Sequence, residues 1–159
     1  MENDSAAQLW ADYRKINPDI PESCEAWAFG DSRQTADHLA GLVLNGTKTA
    51  TASNYKLYRL ENAPLPLAGL YNIILDGEEK AVAIVRTTDV SVVPFDEVTE
   101  EHAYLEGEGN RTLTYWRQVH RAFFKKELEG VGQTFNDKIP VVCETFQVVY
   151  KRGQADSRQ

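Results

Sequence analysis

Lys48 stands in the segment of this chain whose residue types are hardest to explain by packing, Gly46-Thr47-Lys48-Thr49-Ala50-Thr51-Ala52-Ser53. A strand that only filled a core would carry valine, isoleucine and leucine, because burial stabilises by roughly 25 cal/mol per Å² of apolar surface. Here a lysine sits among hydroxyls and alanines. Extended backbone from Thr49 to Ser53 puts Thr49, Thr51 and Ser53 on one face and Ala50 and Ala52 on the other. One face then offers hydroxyls and the other gives room. A lysine beside hydroxyls is a candidate for chemistry, and spacing alone does not make it catalytic. A threonine-rich strand of ordinary β propensity beside a solvated lysine is the plainer alternative.

The second segment with chemical potential is Glu106-Gly107-Glu108-Gly109-Asn110-Arg111, where two carboxylates alternate with glycines just ahead of a helix. The helix macrodipole explains an acidic residue at Glu108, and explains Glu106 less well because it lies further out. Which of the two carboxylates faces Lys48 is left open by the sequence. His120 falls on an apolar stripe between Trp116 and Phe123, which reads first as a hydrogen-bonded core histidine and second as a catalytic one. His102 sits in an acidic helix with no partner in view. The histidines show no metal-ligand spacing, so neither metal nor cofactor is expected. Cys24 and Cys143 are expected to be free thiols without chemistry. A Gly-rich phosphate loop and a Gly-x-Ser-x-Gly elbow are both missing from the sequence.

The elements that must position these residues follow from periodicity. Leu9, Trp10, Tyr13 and Ile16 mark a helix over about 5–17, capped at Asp4 or Ser5 and ended by Asn17-Pro18. Residues 18–30 read as a loop feeding a turn. Asp31 or Ser32 caps a second helix from about Arg33 to Asn45, closed by Gly46 in a left-handed conformation. After the hydroxyl strand, 54–68 reads as a long loop broken by Pro64 and Pro66. Residues 70–75 and 81–93 form a hairpin around Asp76-Gly77-Glu78, and Pro94 ends it. Thr99 caps a short helix that stops at the glycines. Asn110 caps a long helix from about Arg111 to Glu129, and 141–150 is the last strand. Residues 152–159 are expected to fray. The result is an α+β domain on a mostly antiparallel sheet or barrel, with no parallel βαβ order evident.

Composition narrows the partners. The 159 residues, with 42% hydrophobic and 26% charged content, fit one soluble domain over 1–159. No run approaches the roughly 20 apolar residues that cross a bilayer, and the N-terminus lacks signal-peptide features. The expectation is a cytoplasmic protein with no membrane partner. A net charge of −7 disfavours a long DNA duplex, whose affinity comes mainly from lysine and arginine. A nucleoside or single-stranded RNA remains compatible.

Two sets of residues together resemble the ASCH domain family of the PUA-like superfamily. Phe29-Gly30-Asp31-Ser32 followed by Leu42 to Thr51 resembles the family's Gly-x-Lys-x-x-Thr signature. The run Glu106 to Arg111, with Tyr115-Trp116-Arg117 and His120-x-x-Phe123-Phe124, resembles the second signature of its larger branch. The resemblance spans about 25–150. It implies an α+β, PUA-like small β-barrel of mostly antiparallel strands with flanking helices, and a cleft suited to a nucleobase or RNA. Small members that hydrolyse acetylated cytidine imply Thr51 as nucleophile, Lys48 as its activator and Glu106 as the accompanying carboxylate. Ser53 stands where those members carry arginine. Lys48 and Thr51, three apart, converge only if Lys48 precedes the strand or a bulge intervenes. Substrate contacts are expected from Thr49, Ser53, Tyr55, Tyr58, Arg86, Glu108 and Arg111. The implied activity is deacylation of a modified cytidine. A ribonuclease is a close variant, in which Lys48 stabilises developing charge and Tyr55 or Tyr58 stacks on a base. The alternative is a non-catalytic RNA- or nucleotide-binding module, with Lys48 and Arg86 on phosphate.

Overall fold

The computed structural model describes residues 3–153, which form strands β1 (Glu25–Ala28), β2 (Ala50–Asn54), β3 (Tyr71–Leu75), β4 (Ala81–Pro94) and β5 (Pro140–Lys151). The helices are α1 (Asp4–Ile16), α2 (Arg33–Leu44), α3 (Tyr55–Leu60), α4 (Glu100–Glu106) and α5 (Leu113–Glu129). The strands make one mixed sheet in the order β1-β3-β4-β5-β2. β3 pairs antiparallel with β4 and β2 antiparallel with β5, whereas β1 runs parallel to β3. The α+β class holds. Two segments read as loops carry structure: β1 lies within 18–30, and its parallel pairing was not anticipated, while α3 lies within 54–68. The tail expected to fray falls, from residue 154 on, outside the described residues.

The chain is organised as two compact units. One takes in the chain up to Thr47, Gly69–Thr87 and the chain from Phe146; the other takes in Lys48–Ala68 and Thr88–Thr145. In the first unit, β3 and the start of β4 are buried on both faces, which is why they read as nearly continuous apolar runs. Ile73, Leu75 and Ile84 pack with Leu9, Trp10 and Tyr13 of α1. Ile74, Val82, Ala83 and Val85 pack with Leu39, Ala40 and Val43 of α2. Val82 and Ala83 share a side because the β3–β4 register shifts between Ile74 and Leu75, as a bulge places successive residues on one face.

The start of α1 is capped by Asn3, whose side chain accepts from the Ala6 amide, rather than by Asp4 or Ser5. Ser32 caps α2 as expected, accepting from the Thr35 amide. That helix closes in a Schellman turn: the Thr47 amide bonds to the Leu42 carbonyl at 3.0 Å and the Gly46 amide to the Val43 carbonyl at 3.2 Å, with Gly46 at φ +84°.

The second unit is built on a core of Phe95, Val98, Ala103, Trp116, Phe124, Leu128, Ile139 and Val141. Thr99 caps α4 as expected, through the His102 amide. α5 begins two residues later than expected. Its cap is Thr112, accepting from the Tyr115 amide, while Asn110 turns its side chain onto Thr112. From Trp116 the buried face recurs every four residues through His120, Phe124 and Leu128.

At Gly46 an added Cβ would meet open space, so the effect of Gly46→Ala isolates the left-handed backbone. That conformation disfavours L-residues by roughly 1 to 2 kcal/mol. Gly46→Ala should therefore lower the urea midpoint by an amount worth about 1 kcal/mol, with an unchanged slope. Gly46→Asn should lose less, and an unmoved midpoint for the alanine variant would show that the turn contributes nothing.

Candidate functional site

Lys48 leaves the Schellman turn in irregular backbone, two residues before β2 begins. The alternation that would set it opposite Thr51 therefore does not govern it. Its side chain is 1% exposed. The ammonium donates to the Ala50 carbonyl at 2.9 Å, to Glu108 Oε2 at 2.9 Å, and at 3.4 Å to both the carbonyl and Oε1 of Glu106. The next residue ties this segment to α4, because the Thr49 amide donates to the Leu105 carbonyl at 2.8 Å and its hydroxyl reaches the same oxygen at 3.4 Å.

Glu106 is the last residue of α4 and is itself 1% exposed. Its Oε2 accepts from Trp116 Nε1 at 2.6 Å and lies 2.8 Å from His102 Nε2. Its Oε1 lies 3.4 Å from Lys48 Nζ and 3.5 Å from His120 Nε2. Burial pushes this carboxyl up, but the Lys48 charge, the His120 charge and the bonds from both histidines outweigh it. The group is held well below the ordinary carboxylate range. His102 thus has a partner after all, four residues along its own helix. His120 is neither a plain core histidine nor an isolated one. Its Nδ1 lies 2.9 Å from the Trp116 carbonyl, and its ring stacks on the Trp116 indole at 4.1 Å and 13°. A carbonyl only accepts, so Nδ1 carries a proton, and Nε2 can offer one to Glu106 only from the imidazolium. Burial opposes that charge, and Glu106, by charge and hydrogen bond, together with Glu108, overrides it and raises the His120 value.

After Glu106 the chain turns at Gly107, at φ +75°. At Gly109 a Cβ would come within 2.4 Å of the Tyr115 ring. Glycine there permits the close approach that brings Glu108, half-buried, onto Lys48. Arg111, at φ +64°, donates its amide to the Glu108 carbonyl and its Nε to the Tyr104 carbonyl. Its guanidinium lies 3.6 Å from the centre of the exposed Tyr104 ring.

Of the residues read from the sequence, Lys48, Glu106 and Glu108 come together. Thr49 anchors the Lys48 segment. Thr51 and Ser53 are half-buried on the face of β2 opposite Ala50, Ala52 and Asn54, and the register pairs Thr51 with Glu144. Among the described residues, Glu106 has no hydrogen bond to Thr51. Ser53 Oγ and the Tyr58 hydroxyl are 2.9 Å apart, and the Tyr55 hydroxyl accepts from Arg59 at 3.3 Å. Arg86 belongs to the first unit, where its guanidinium lies over Tyr71. Cys24 and Cys143 are free thiols, each pushed up to about 12 mainly by burial. Glu106, Glu108 and His120 bring one ligand-type atom each within 4.8 Å of the others. The cation beside the two carboxylates is the Lys48 ammonium.

Sequence reasoning missed His102 and Trp116. The signal for His102 was present, since His102 and Glu106 are four apart on a helix and so share a face. Trp116 stood in the second signature, but its bond to Glu106 was not read, because tertiary packing sets the direction of its indole N–H.

The lowered Glu106 value fixes the sign of a pH effect. Its contribution to stability is present above the ordinary carboxylate value of 4.5 and is lost as pH falls through the lower folded value. Glu106→Gln leaves buried cations uncompensated and should lose about 3 to 5 kcal/mol at pH 6. The gap between the two proteins should narrow as urea denaturation is repeated from pH 4.5 toward pH 3. A gap constant with pH would show that folding does not lower the Glu106 value.

No functionally curated protein matches the chain. A crystal structure of a protein from Enterococcus faecalis V583 is similar at 36% identity, with a TM-score of 0.87, over 96% of this chain and 93% of that one. The structure of an ASCH domain from Lactobacillus crispatus JV V101 is similar at 28% identity, with a TM-score of 0.85, over 94% and 98%. The model of the family described as ASCH domain matches residues 25–150, which contain all the residues of the Lys48 cluster. The chain belongs to the ASCH domain family, and its mixed sheet with flanking helices is that family's PUA-like fold.

Proposed function

We propose that the chain is a hydrolase acting on a nucleoside or on single-stranded RNA, most concretely an amidohydrolase that removes the acyl group from a modified cytidine. The observation that carries this reading is the Lys48 ammonium, 1% exposed, set between the buried carboxylate of Glu106 and the half-buried one of Glu108. Moving such charges out of water is expensive, and apolar side chains of similar volume often hold a fold as well or better. Buried charge clusters of this kind gather at functional sites.

In this reading the Thr51 hydroxyl attacks the acyl carbonyl and loses its proton to the cluster. Lys48 stabilises the oxyanion, with Glu106 as its counter-charge. The C–N bond breaks as the proton passes to the leaving nitrogen, and water then hydrolyses the Thr51 ester to release the carboxylic acid. The hydroxyl pair of Ser53 and Tyr58, with Tyr55 one turn away on α3, supplies polar and aromatic surface for a base. In the ribonuclease variant the same ammonium faces a phosphodiester.

A second reading, a non-catalytic RNA-binding module, is favoured by the PUA-like fold and by the exposed Arg111–Tyr104 stack, a surface on which an unpaired base can lie. Salt separates the two. Binding to RNA weakens steeply as salt rises, whereas hydrolysis of a neutral nucleoside changes little.

The test is chromatography with mass detection after incubation with 4-acetylcytidine, related acylated nucleosides and a short single-stranded RNA. Loss of the acyl group is expected from the wild type, and none from Lys48→Ala or Thr51→Val proteins that keep the wild-type circular dichroism spectrum. Shortened RNA would move the chemistry to the phosphodiester. Intact substrates throughout would leave the binding module as the reading. Full turnover by Thr51→Val would make water the attacking group.

A further inference from the structure

We infer that His102, Trp116 and His120 are positioning residues that clamp Glu106, and that Glu108 is the carboxylate that exchanges protons with the substrate. The proton-transfer half of this inference rests on the deacylation reading; the clamp does not.

A carboxylate has about four lone-pair sites, two on each oxygen. All four directions at Glu106 are taken. Oε2 meets the Trp116 indole N–H at 2.6 Å and His102 Nε2 at 2.8 Å. Oε1 meets Lys48 Nζ at 3.4 Å and His120 Nε2 at 3.5 Å. To accept a proton, Glu106 must first give up a donor. At 1% exposure it also has no surface to present to a substrate. The donors come from two elements, His102 from α4 and Trp116 with His120 from α5, so the carboxylate is gripped from two helices at once. The stack of His120 on Trp116 fixes both rings, which sets the direction of each N–H. Held in this way, Glu106 is a fixed counter-charge 3.4 Å from the Lys48 ammonium. The shorter bonds of that ammonium go to the Ala50 carbonyl and Glu108 Oε2.

Glu108 differs on each count. Its side chain is 18% exposed against 2% for Glu106, and it stands in the glycine-flanked turn rather than on a helix. It touches the same ammonium at 2.9 Å. A proton released by the Thr51 hydroxyl as its oxygen bonds to the acyl carbon can be taken up by Glu108. The same proton can be returned to the nitrogen as the C–N bond breaks, leaving the carboxylate as it began.

Two measurements test this. In protein labelled at the glutamate side-chain carboxyl carbon, the Glu106 signal, identified by its loss in Glu106→Gln, should stay at its ionised position from pH 8 to pH 4. In Trp116→Phe and His102→Phe, each lacking one donor to Oε2, it should titrate at higher pH than in the wild type. His102→Phe carries this arm if the core substitution at Trp116 prevents folding. Unchanged Glu106 titration in the folded variants would overturn the clamp, whatever the protein's activity. The second measurement is rescue of 4-acetylcytidine turnover by added formate. Glu108→Ala should lose at least a hundredfold in kcat and recover part of it with formate, because the site it vacates is open to solvent. Glu106→Ala should not recover. Rescue of Glu106→Ala alone, or of neither variant, would overturn the role given to Glu108. A wild type with no turnover would refute the deacylation reading and leave the clamp to be decided by the carboxyl signals.

Discussion

A buried ion pair between Lys48 and Glu106 is the constraint to which the second unit is fitted. Each of these charges loses several kcal/mol of solvation on burial, and only close, well-directed partners offset that loss. The surrounding elements supply them. α4 ends at Glu106, which puts its carboxylate at the helix terminus and His102 one turn back on the same face. α5 brings Trp116 and His120 at a spacing of four, the interval at which side chains on one helix meet. The glycines after Glu106 let the backbone turn sharply enough for Glu108 to return to the same ammonium. Lys48 lies between the two carboxylates there, and both histidines turn a ring nitrogen onto Glu106.

The first unit shows the contrast. Its sheet is covered on both faces by aliphatic and aromatic side chains from α1 and α2, and burial of that surface is sufficient to hold it. The second unit accepts polar groups in its core and satisfies those around Glu106 from two helices. The two units therefore rest on different physics, although β4 and β5 run through both.

Long elements were legible from the sequence because their periodicity exceeds their local noise. α1, α2 and α5 display apolar stripes, β3 and β4 display apolar runs, and Gly46 marks the end of α2 with the conformation that glycine adopts most easily. β1 was not legible because Glu25–Ala28 has only four residues, half of them exposed, and its pairing information resides in β3, where Glu25 meets Asn72 and Ala28 meets Leu75. α3 has six residues, none fully buried, so no stripe exists to be read; it is nucleated by Asn54 accepting from the Lys56 amide. The start of α5 was misplaced because Asn110 and Thr112 are both good caps, and the left-handed backbone of Arg111 between them decides the matter. For the site, residue type alone singled out Lys48, Glu106 and Glu108. Their convergence with Trp116 and His120 depends on how two helices pack, which spacing along one chain does not encode.

The shared contacts around Glu106 also bear on how such a sequence can diverge. Exchanging Lys48 or either carboxylate leaves a buried charge without its partner, so each such step lowers stability unless another follows it. The cluster is therefore expected to pass between lineages as a block, fixed or lost together. Tyr55, Tyr58 and Tyr104 belong to no such cluster. Exchanges would come there first, with the charged residues unaltered.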